Sequence, residues 1–164
     1  MAIASYIGRV NSDGSVNAIY CHNAGYLRHT GVMLISFYQG IDKVNELLNL
    51  GDLSLLDEYV SPDPNQVHTF DNPQAGVTVA YMRDRNEENL MAREFKNLEE
   101  FTYMYNAGGI DCAYLFDVEK GQWLCVDSYR FEQDELQPLE DVLRENGIDY
   151  ENGKAELYTM NLKF

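Results

Sequence analysis

Residues 110–130 read IDCAYLFDVEKGQWLCVDSYR and contain the clearest strand–turn–strand pattern in the chain. Two runs rich in β-branched and aromatic residues flank the short sequence EKGQ at 119–122. Apolar runs joined by a tight, glycine-containing turn are typical of a β-hairpin. We therefore predict that 112–118 and 123–129 pair antiparallel near the centre of a sheet.

A second hairpin is predicted at the N-terminus. The runs IASYIGRV (3–10) and VNAIYCH (16–22) flank the sequence NSDGS, whose Asp-Gly pair is a strong turn signal. Alternation of side chains also predicts strands over 76–83 and 156–164. Segment 61–75 contains three of the four prolines and is predicted to be a loop.

Helical periodicity occurs in other segments. Within 32–50, apolar residues recur three and four positions apart, and Gly40 divides the segment into two helices or bends one. This apolar stripe is formed by Leu34, Phe37, Ile41, Val44 and Leu48. One helix is predicted to begin after Asn97 and another at Pro138. Residues 53–60 are predicted to form one more short helical turn.

These elements follow one another in the order β-β-α-(α)-β-α-β-β-α-β. Hairpins and local returns dominate, which favours an α+β fold with a mostly antiparallel sheet. We predict about five or six strands and three or four helices, with the helices largely on one face. The 164 residues fit a single domain over 1–164, and 45% hydrophobic residues suffice for a core.

The chain is strongly acidic, with 27 acids, 12 bases and a formal net charge of −15. Such a surface repels phosphate backbones, so we predict no direct binding to nucleic acid. The three cysteines are odd in number and form no Cys-x-x-Cys motif, which favours a reducing cytoplasm over a secreted disulfide scaffold. Residues 1–10 do not resemble a signal peptide, and the apolar runs are too short to span a bilayer.

Acidic residues are most concentrated in 132–151, which contain eight acids and one base, Arg144. The acids are Glu132, Asp134, Glu135, Glu140, Asp141, Glu145, Asp149 and Glu151. One interpretation is a solvated face that keeps the protein soluble. The other is a surface that binds a basic partner or imitates a phosphate backbone.

The segment CHNAGYLRH (21–29) is the most unusual local sequence and lies where a strand gives way to a loop. Such positions often present functional side chains. Cys21 and His22 could form a nucleophile pair, but neighbours on a strand point to opposite faces, which favours a buried, reduced Cys21. No cysteine or histidine spacing matches a zinc pattern, and no metal, cofactor or catalytic residue is predicted.

Two arginines stand at the end of a predicted strand. Arg83 and Arg85 either form surface ion pairs with neighbouring acids or bind a phosphate or carboxylate, because arginine makes bidentate contacts. In the second case, we expect a ligand groove lined by His22, Tyr26 and His29 together with these arginines.

Several short sequences indicate a family resemblance. They are CHNAGYL (21–27), GDLSLL (51–56), VAYMRDR (79–85) and YLFD (114–117). They resemble strings in a family of small uncharacterised bacteriophage and prophage proteins, whose first string is Cys-His-Trp-Asp-Gly-Tyr-Pro. Here Asn23-Ala24 replaces Trp-Asp and Leu27 replaces Pro, so if the loop has an activity that needs those groups in the family, we expect this chain to have lost it. The resemblance implies a viral accessory gene acting in the cytoplasm of a bacterial host, without a mechanism.

Together these features predict a phage-type accessory protein that acts by binding. In its most concrete form, an acidic face inhibits a host protein with a basic surface, such as a nucleic-acid-binding or defence protein. An alternative is the binding or cleavage of a small nucleotide at the 21–29 loop, with Arg83 and Arg85 on phosphate. A third is a structural or assembly role, and the sequence leaves the oligomeric state open.

Overall fold

The computed structural model describes residues 2–151, which contain one mixed sheet with helices on both faces. The strands are β1 (Ser5–Val10), β2 (Val16–Cys21), β3 (Leu53–Leu55), β4 (Val79–Ala80), β5 (Arg93–Phe95), β6 (Cys112–Asp117), β7 (Gln122–Val126) and β8 (Gln137–Pro138). The helices are α1 (Val32–Phe37), α2 (Ile41–Leu48), α3 (Tyr81–Arg85), α4 (Leu98–Ala107) and α5 (Leu139–Glu145). A π-helical turn at Leu27–Gly31 precedes α1, and a 3-10 turn at Gln133–Glu135 precedes β8.

Strand β1 lies at the centre of the sheet because it is paired along both edges. It pairs antiparallel with β2, with Ile7 opposite Ile19, and parallel with β6, with Ile7 opposite Tyr114. In the β1–β2 turn, Asp13 Oδ1 accepts a 2.9 Å hydrogen bond from Ser15 N. The predicted N-terminal hairpin is therefore confirmed.

Strands β6 and β7 form the second predicted hairpin. They pair antiparallel, with Tyr114 opposite Cys125 and Phe116 opposite Trp123, and Gly121 turns the chain at φ 64°. The sheet order is β4-β3-β2-β1-β6-β7-β8, and β5 pairs with the outer edge of β2. The hairpin thus begins directly beside the central strand.

The sheet is larger than predicted and is mixed, although the α+β class is correct. Residues 2–151 form eight strands instead of five or six, and five helices instead of three or four. The pairs β1–β6 and β2–β3 are parallel, whereas the other five strand pairs are antiparallel. Parallel pairing requires a long crossover connection, which local turn signals do not reveal.

The sheet divides the core into two layers. Helices α1, α2 and α5 cover one face and pack with Ile7, Ile19 and Tyr114. Helix α4 covers the opposite face and packs with Tyr6 and Leu115. The expectation of helices largely on one face therefore holds for α1, α2 and α5 but not for α4, because the central strands are buried on both sides.

Buried aromatic side chains connect the helical layer with the sheet through their polar atoms. Trp123 Nε1 donates a 2.9 Å hydrogen bond to Tyr38 O at the end of α1, and Tyr38 OH donates to Asp57 O at 2.6 Å. Tyr114 OH donates to Gly25 O at 2.7 Å. These bonds satisfy donors that burial removes from water. They also fix the orientation of each aromatic side chain in the core.

The helix boundaries follow the sequence signals. Gly40, at φ 91°, separates α1 from α2. Asn97 Oδ1 accepts a 2.9 Å bond from Glu100 N and caps α4, whereas Glu100 Oε2 accepts from Lys96 N instead of Asn97 N. Pro138 directly precedes α5. The three predicted helical regions are therefore confirmed.

Two segments differ from the predictions. Residues 53–60 contain strand β3 instead of a helical turn, because β3 pairs with the end of β2. Residues 76–83 are divided between β4 and the short helix α3. Segment 61–75 contains no helix or strand, as predicted, and the strand predicted at 156–164 lies outside the described residues.

Gly51 turns the chain between α2 and β3 at φ 76°, and a Cβ there would clash with the Leu90 carbonyl oxygen and lie 2.5 Å from Met82 Cε. We expect Gly51→Ala to lower the free energy of unfolding by about 3 kcal/mol, measured by chemical denaturation, because backbone strain and a clash act together. Gly121→Ala is the matched control, since its φ is 64° and no atom lies within 4 Å of the added Cβ. It should cost about 1 kcal/mol, and equal losses for the two variants would contradict the role of the clash.

Candidate functional site

The 21–29 segment leaves the end of β2 and runs beside β3. His22 N donates a 2.9 Å hydrogen bond to Leu53 O, and Asn23 N donates a 2.9 Å bond to Ser54 O. The π-helical turn then leads into α1. The backbone of β3 thus holds the start of this segment in place and determines which way its side chains point.

His22 belongs to a group of aromatic side chains on the α4 side of the sheet. Its Nδ1 lies 2.7 Å from Tyr20 OH, and the two rings are 5.8 Å apart. Tyr20 contacts Tyr6 edge-on, with 5.9 Å between ring centroids. Burial raises the pKa of Tyr20, and the Tyr81 hydroxyl raises it further. One nitrogen of the exposed His22 ring is therefore already engaged by Tyr20.

Tyr26 and His29 form a separate pair. Their ring centroids are 6.4 Å apart in an edge-on arrangement, and His29 Nε2 lies 2.7 Å from Leu56 O. Tyr26 is 45% exposed. A cavity of about 260 Å³ beside Tyr26 is lined by Tyr26, Leu27, Arg28, Asp127, Asn146 and Ile148. Its lining includes neither His22 nor His29.

Arg83 binds protein groups with its guanidinium. It donates to Val60 O at 2.5 Å and to Thr78 O at 2.6 Å, and its Nε and Nη2 donate to Asp84 at 2.8 and 3.0 Å. Asp84 Oδ2 also accepts a 2.8 Å bond from Ala80 N. Arg83 therefore connects the chain before and after the 61–75 loop with Asp84 of α3.

Arg85 lies against two aromatic rings. Its guanidinium carbon is 4.4 Å from the centroid of Phe70 and 4.8 Å from that of Tyr81, and its Nε donates to Glu87 Oε2 at 2.6 Å. This geometry is typical of a cation–π interaction. Arg85 therefore packs on one ring of the 61–75 loop and one ring of α3.

The five residues of the predicted ligand groove are thus distributed over three places. His22 lies beside Tyr20, whereas both arginines belong to α3, where Arg85 packs on Tyr81. Tyr26 pairs with His29. Among residues 2–151, no hydrogen bond, ion pair or ring contact joins either arginine to the 21–29 segment, and the nucleotide-binding alternative stays a prediction.

All three cysteines are buried free thiols, as predicted for Cys21. Cys21 Sγ lies 3.6 Å from Asn23 O and packs on the side of the sheet opposite to the Tyr20–His22 pair. Burial raises the pKa of Cys21 to about 12 and also raises those of Cys112 and Cys125. Because the thiolate is the nucleophile, such groups are unreactive. In the part of the chain described by the structure, no three His, Cys, Asp or Glu side chains are arranged to hold a metal ion.

The acidic segment 132–151 crosses the edge of the sheet. Before β8, Phe131 and Leu136 pack in the α4 layer, and the 3-10 turn between them contacts α4. After β8, which pairs with β7, the apolar side of α5 packs in the opposite layer. The inward residues of α5 are Leu139, Val142 and Leu143, as predicted. The eight acids are therefore divided between two sides of the molecule.

All eight acids of this segment are exposed. Glu132, Asp134 and Glu135 lie beside α4. The others follow β8 and are Glu140, Asp141, Glu145, Asp149 and Glu151. Arg144 lies 3.2 Å from Asp141 and 3.8 Å from Glu140, so one base is shared by two of these five acids. Within 132–151, acids therefore outnumber bases eight to one.

The sequence does not predict the ion pair between Asp52 and Arg93. Asp52 is 3% exposed and accepts bonds of 3.1 and 3.0 Å from the guanidinium of Arg93, and its Oδ1 also accepts a 2.9 Å bond from Tyr20 N. Arg93 begins β5, which lies beside β3 on the edge of β2. Residues 41 positions apart that meet across a sheet leave no local pattern in the sequence.

No match to the chain is found among models of protein families, among curated proteins or among solved structures. Within residues 2–151, none of the helices has the length and apolar character needed to cross a membrane. The family resemblance of the short sequences therefore stays a prediction.

We expect Cys21 to react with iodoacetamide at least about a hundredfold more slowly in the folded protein than in denaturant, because burial suppresses the thiolate. The measurement is mass-spectrometric labelling at mildly alkaline pH, with the denatured chain as reference. Rapid modification of Cys21 in the native protein would restore the nucleophile interpretation.

Asp84 gives the fold a pH dependence. Burial alone would raise its pKa, but hydrogen bonds from Arg83 and Ala80 N, together with His68 Nε2 at 3.2 Å from Oδ2, lower the pKa below the ordinary value of 3.8. The charged form therefore stabilises the fold above pH 3.8, and this stabilisation is lost as the pH falls through the lowered pKa. We expect Asp84→Asn to cost about 2 kcal/mol at neutral pH, and this cost to shrink in acid.

The measurement is urea denaturation of wild type and Asp84→Asn from pH 7 to the lowest pH at which both fold. Asp71→Asn, at an exposed position, is the control and should change stability by less than about 0.5 kcal/mol. A cost of Asp84→Asn that stays constant with pH would contradict the assignment.

Proposed function

We propose that this chain acts by binding a partner protein that has a basic surface. The observation that carries the proposal is the exposure of all eight acids of 132–151, on a segment whose apolar residues face the core. Only one base, Arg144, lies among them. Negative charge of this density attracts a basic surface over a distance and repels nucleic acid.

Part of this charge is held on ordered backbone, which favours recognition. Glu140, Asp141 and Glu145 project from α5, whose opposite side is buried. Glu135 Oε1 accepts a 2.7 Å bond from Glu132 N and so fixes the 3-10 turn. A segment whose backbone is already ordered loses less conformational entropy when a partner binds.

The resemblance to bacteriophage proteins favours a protein of a bacterial host as the partner. Proteins that bind nucleic acid carry basic patches or stripes that match the regular charge of a phosphate backbone. Carboxylates on a protein surface can occupy the same patch. We therefore propose that the chain inhibits a host nucleic-acid-binding or defence protein by covering its basic surface.

Solubility is an alternative explanation of the same charges. The two explanations differ in what they require, because solubility depends on total charge whereas an interface depends on where the charges are. Variants with equal net charge and different positions therefore distinguish them.

We expect the variant Glu140→Lys, Asp141→Lys, Glu145→Lys to fold normally and to lose capture of the host partner. The partner is identified by affinity purification of the tagged chain from its bacterial host, followed by mass spectrometry, and is then purified for a binding assay. Wild-type binding should weaken steeply with added salt, mainly through a slower association rate.

The matched control is Asp71→Lys, Glu88→Lys, Glu119→Lys, which changes the net charge equally at exposed acids outside the segment. This control should retain the partner. If both variants retain the partner, the acids of 132–151 serve only solubility. Circular dichroism of each variant checks that the fold is intact.

A further inference from the structure

Two tyrosines are exposed on the surface shared by α4 and residues 128–135. Tyr103 on α4 is 81% exposed, and Tyr129, which follows β7, is 63% exposed. Among residues 2–151 they are the two most exposed tyrosines. Tyrosine is enriched among the residues that dominate binding energy at protein interfaces. We call this region, α4 with 128–135, the tyrosine surface.

The backbone under these tyrosines is held firmly. Asn106 Nδ2 donates to Phe131 O at 3.0 Å, and Phe131 N donates to Asn106 Oδ1 at 2.9 Å. Tyr105 OH donates to Ser128 O at 2.7 Å, and its ring packs edge-on against Phe131 at 5.1 Å. The segment on either side of Tyr129 is thus fastened to α4, so the tyrosine surface is largely ordered before a partner binds.

The tyrosine surface is also acidic. Its exposed acids are Glu99, Glu100, Glu132, Asp134 and Glu135. Residues 128–135 contain one base, Arg130, and α4 contains none. Exposed aromatic rings surrounded by carboxylates form a surface that is complementary to cations carried on long side chains.

We infer that Tyr103 and Tyr129 anchor the partner and that the partner presents arginine side chains to them. This inference rests on the proposed function and adds, to the acids of α5, an anchor on the α4 side of the sheet. Arginine fits both features of the surface, because its guanidinium pairs with carboxylates and stacks on aromatic faces.

A second copy of this chain does not fit the tyrosine surface. Each copy has a formal net charge of −15, and two copies joined through this surface would bring carboxylates against carboxylates. Juxtaposed like charges disfavour such a contact. A basic partner is attracted by the same carboxylates. The charge of the surface therefore favours a different protein over a second copy of this chain.

Fluorescently labelled nona-arginine and nona-lysine peptides test the inference, since they carry equal charge but differ in stacking on aromatic rings. We expect wild type to bind nona-arginine more tightly than nona-lysine. Tyr103→Ala with Tyr129→Ala should weaken nona-arginine binding at least about tenfold and remove this preference. Tyr59→Ala, at a 54% exposed tyrosine outside the surface, should leave both affinities unchanged.

The charge-reversal variant of Glu140, Asp141 and Glu145 is measured in the same assay. If the double tyrosine variant binds nona-arginine like wild type while the charge-reversal variant does not, the inference fails and the proposed function stands. If neither variant affects binding, both fail. Sedimentation equilibrium supplies the last test, because self-association that the double tyrosine variant abolishes would overturn the assignment of a basic partner.

Discussion

Strand β1 is hydrogen-bonded along both edges and buried on both faces, and the rest of the structure depends on this double constraint. Its side chains alternate between the layer of α1, α2 and α5, reached by Ile7, and the layer of α4, reached by Tyr6. Between β1 and β2 the space is so small that a Cβ on Gly8 would clash with the Asn17 carbonyl oxygen and lie 2.9 Å from Ala18 Cβ. The positions of both hairpins, and of the loops at their ends, follow from this packing.

The features predicted correctly from the sequence are those with local causes. A turn with Gly121, a break at Gly40 and a cap at Asn97 each act within a few residues, so the pattern and the structure agree. The parallel β1–β6 pair and the Asp52–Arg93 ion pair depend on contacts between distant segments. In the candidate site, the burial of Cys21 could be predicted from strand alternation. The partners of Arg83 could not, because this side chain donates to backbone carbonyls that lie elsewhere in the sequence.

The acidic segment illustrates the same distinction on the surface. Counting charges predicts that the acids are exposed, since a short helix with three apolar residues must turn its carboxylates outward. The side of the molecule on which each acid lies is decided by the pairing of β8 with β7, a tertiary contact. The exposure of Tyr103 also follows from a tertiary contact. Phe101 and Tyr105 pack on the sheet, and this leaves Tyr103 on the outer side of α4.

The chain contains a single tryptophan, Trp123, and its position makes it an optical reporter for one half of the molecule. Its indole is 2% exposed and is bonded to the end of α1, in the layer that the sheet separates from α4. Indole emission depends on contact with water, so loss of this layer shifts the spectrum toward that of a solvated ring. A molecule that docks on the α4 side leaves the same indole in its dry environment. Unfolding and binding are therefore distinguishable by intrinsic fluorescence, without any label.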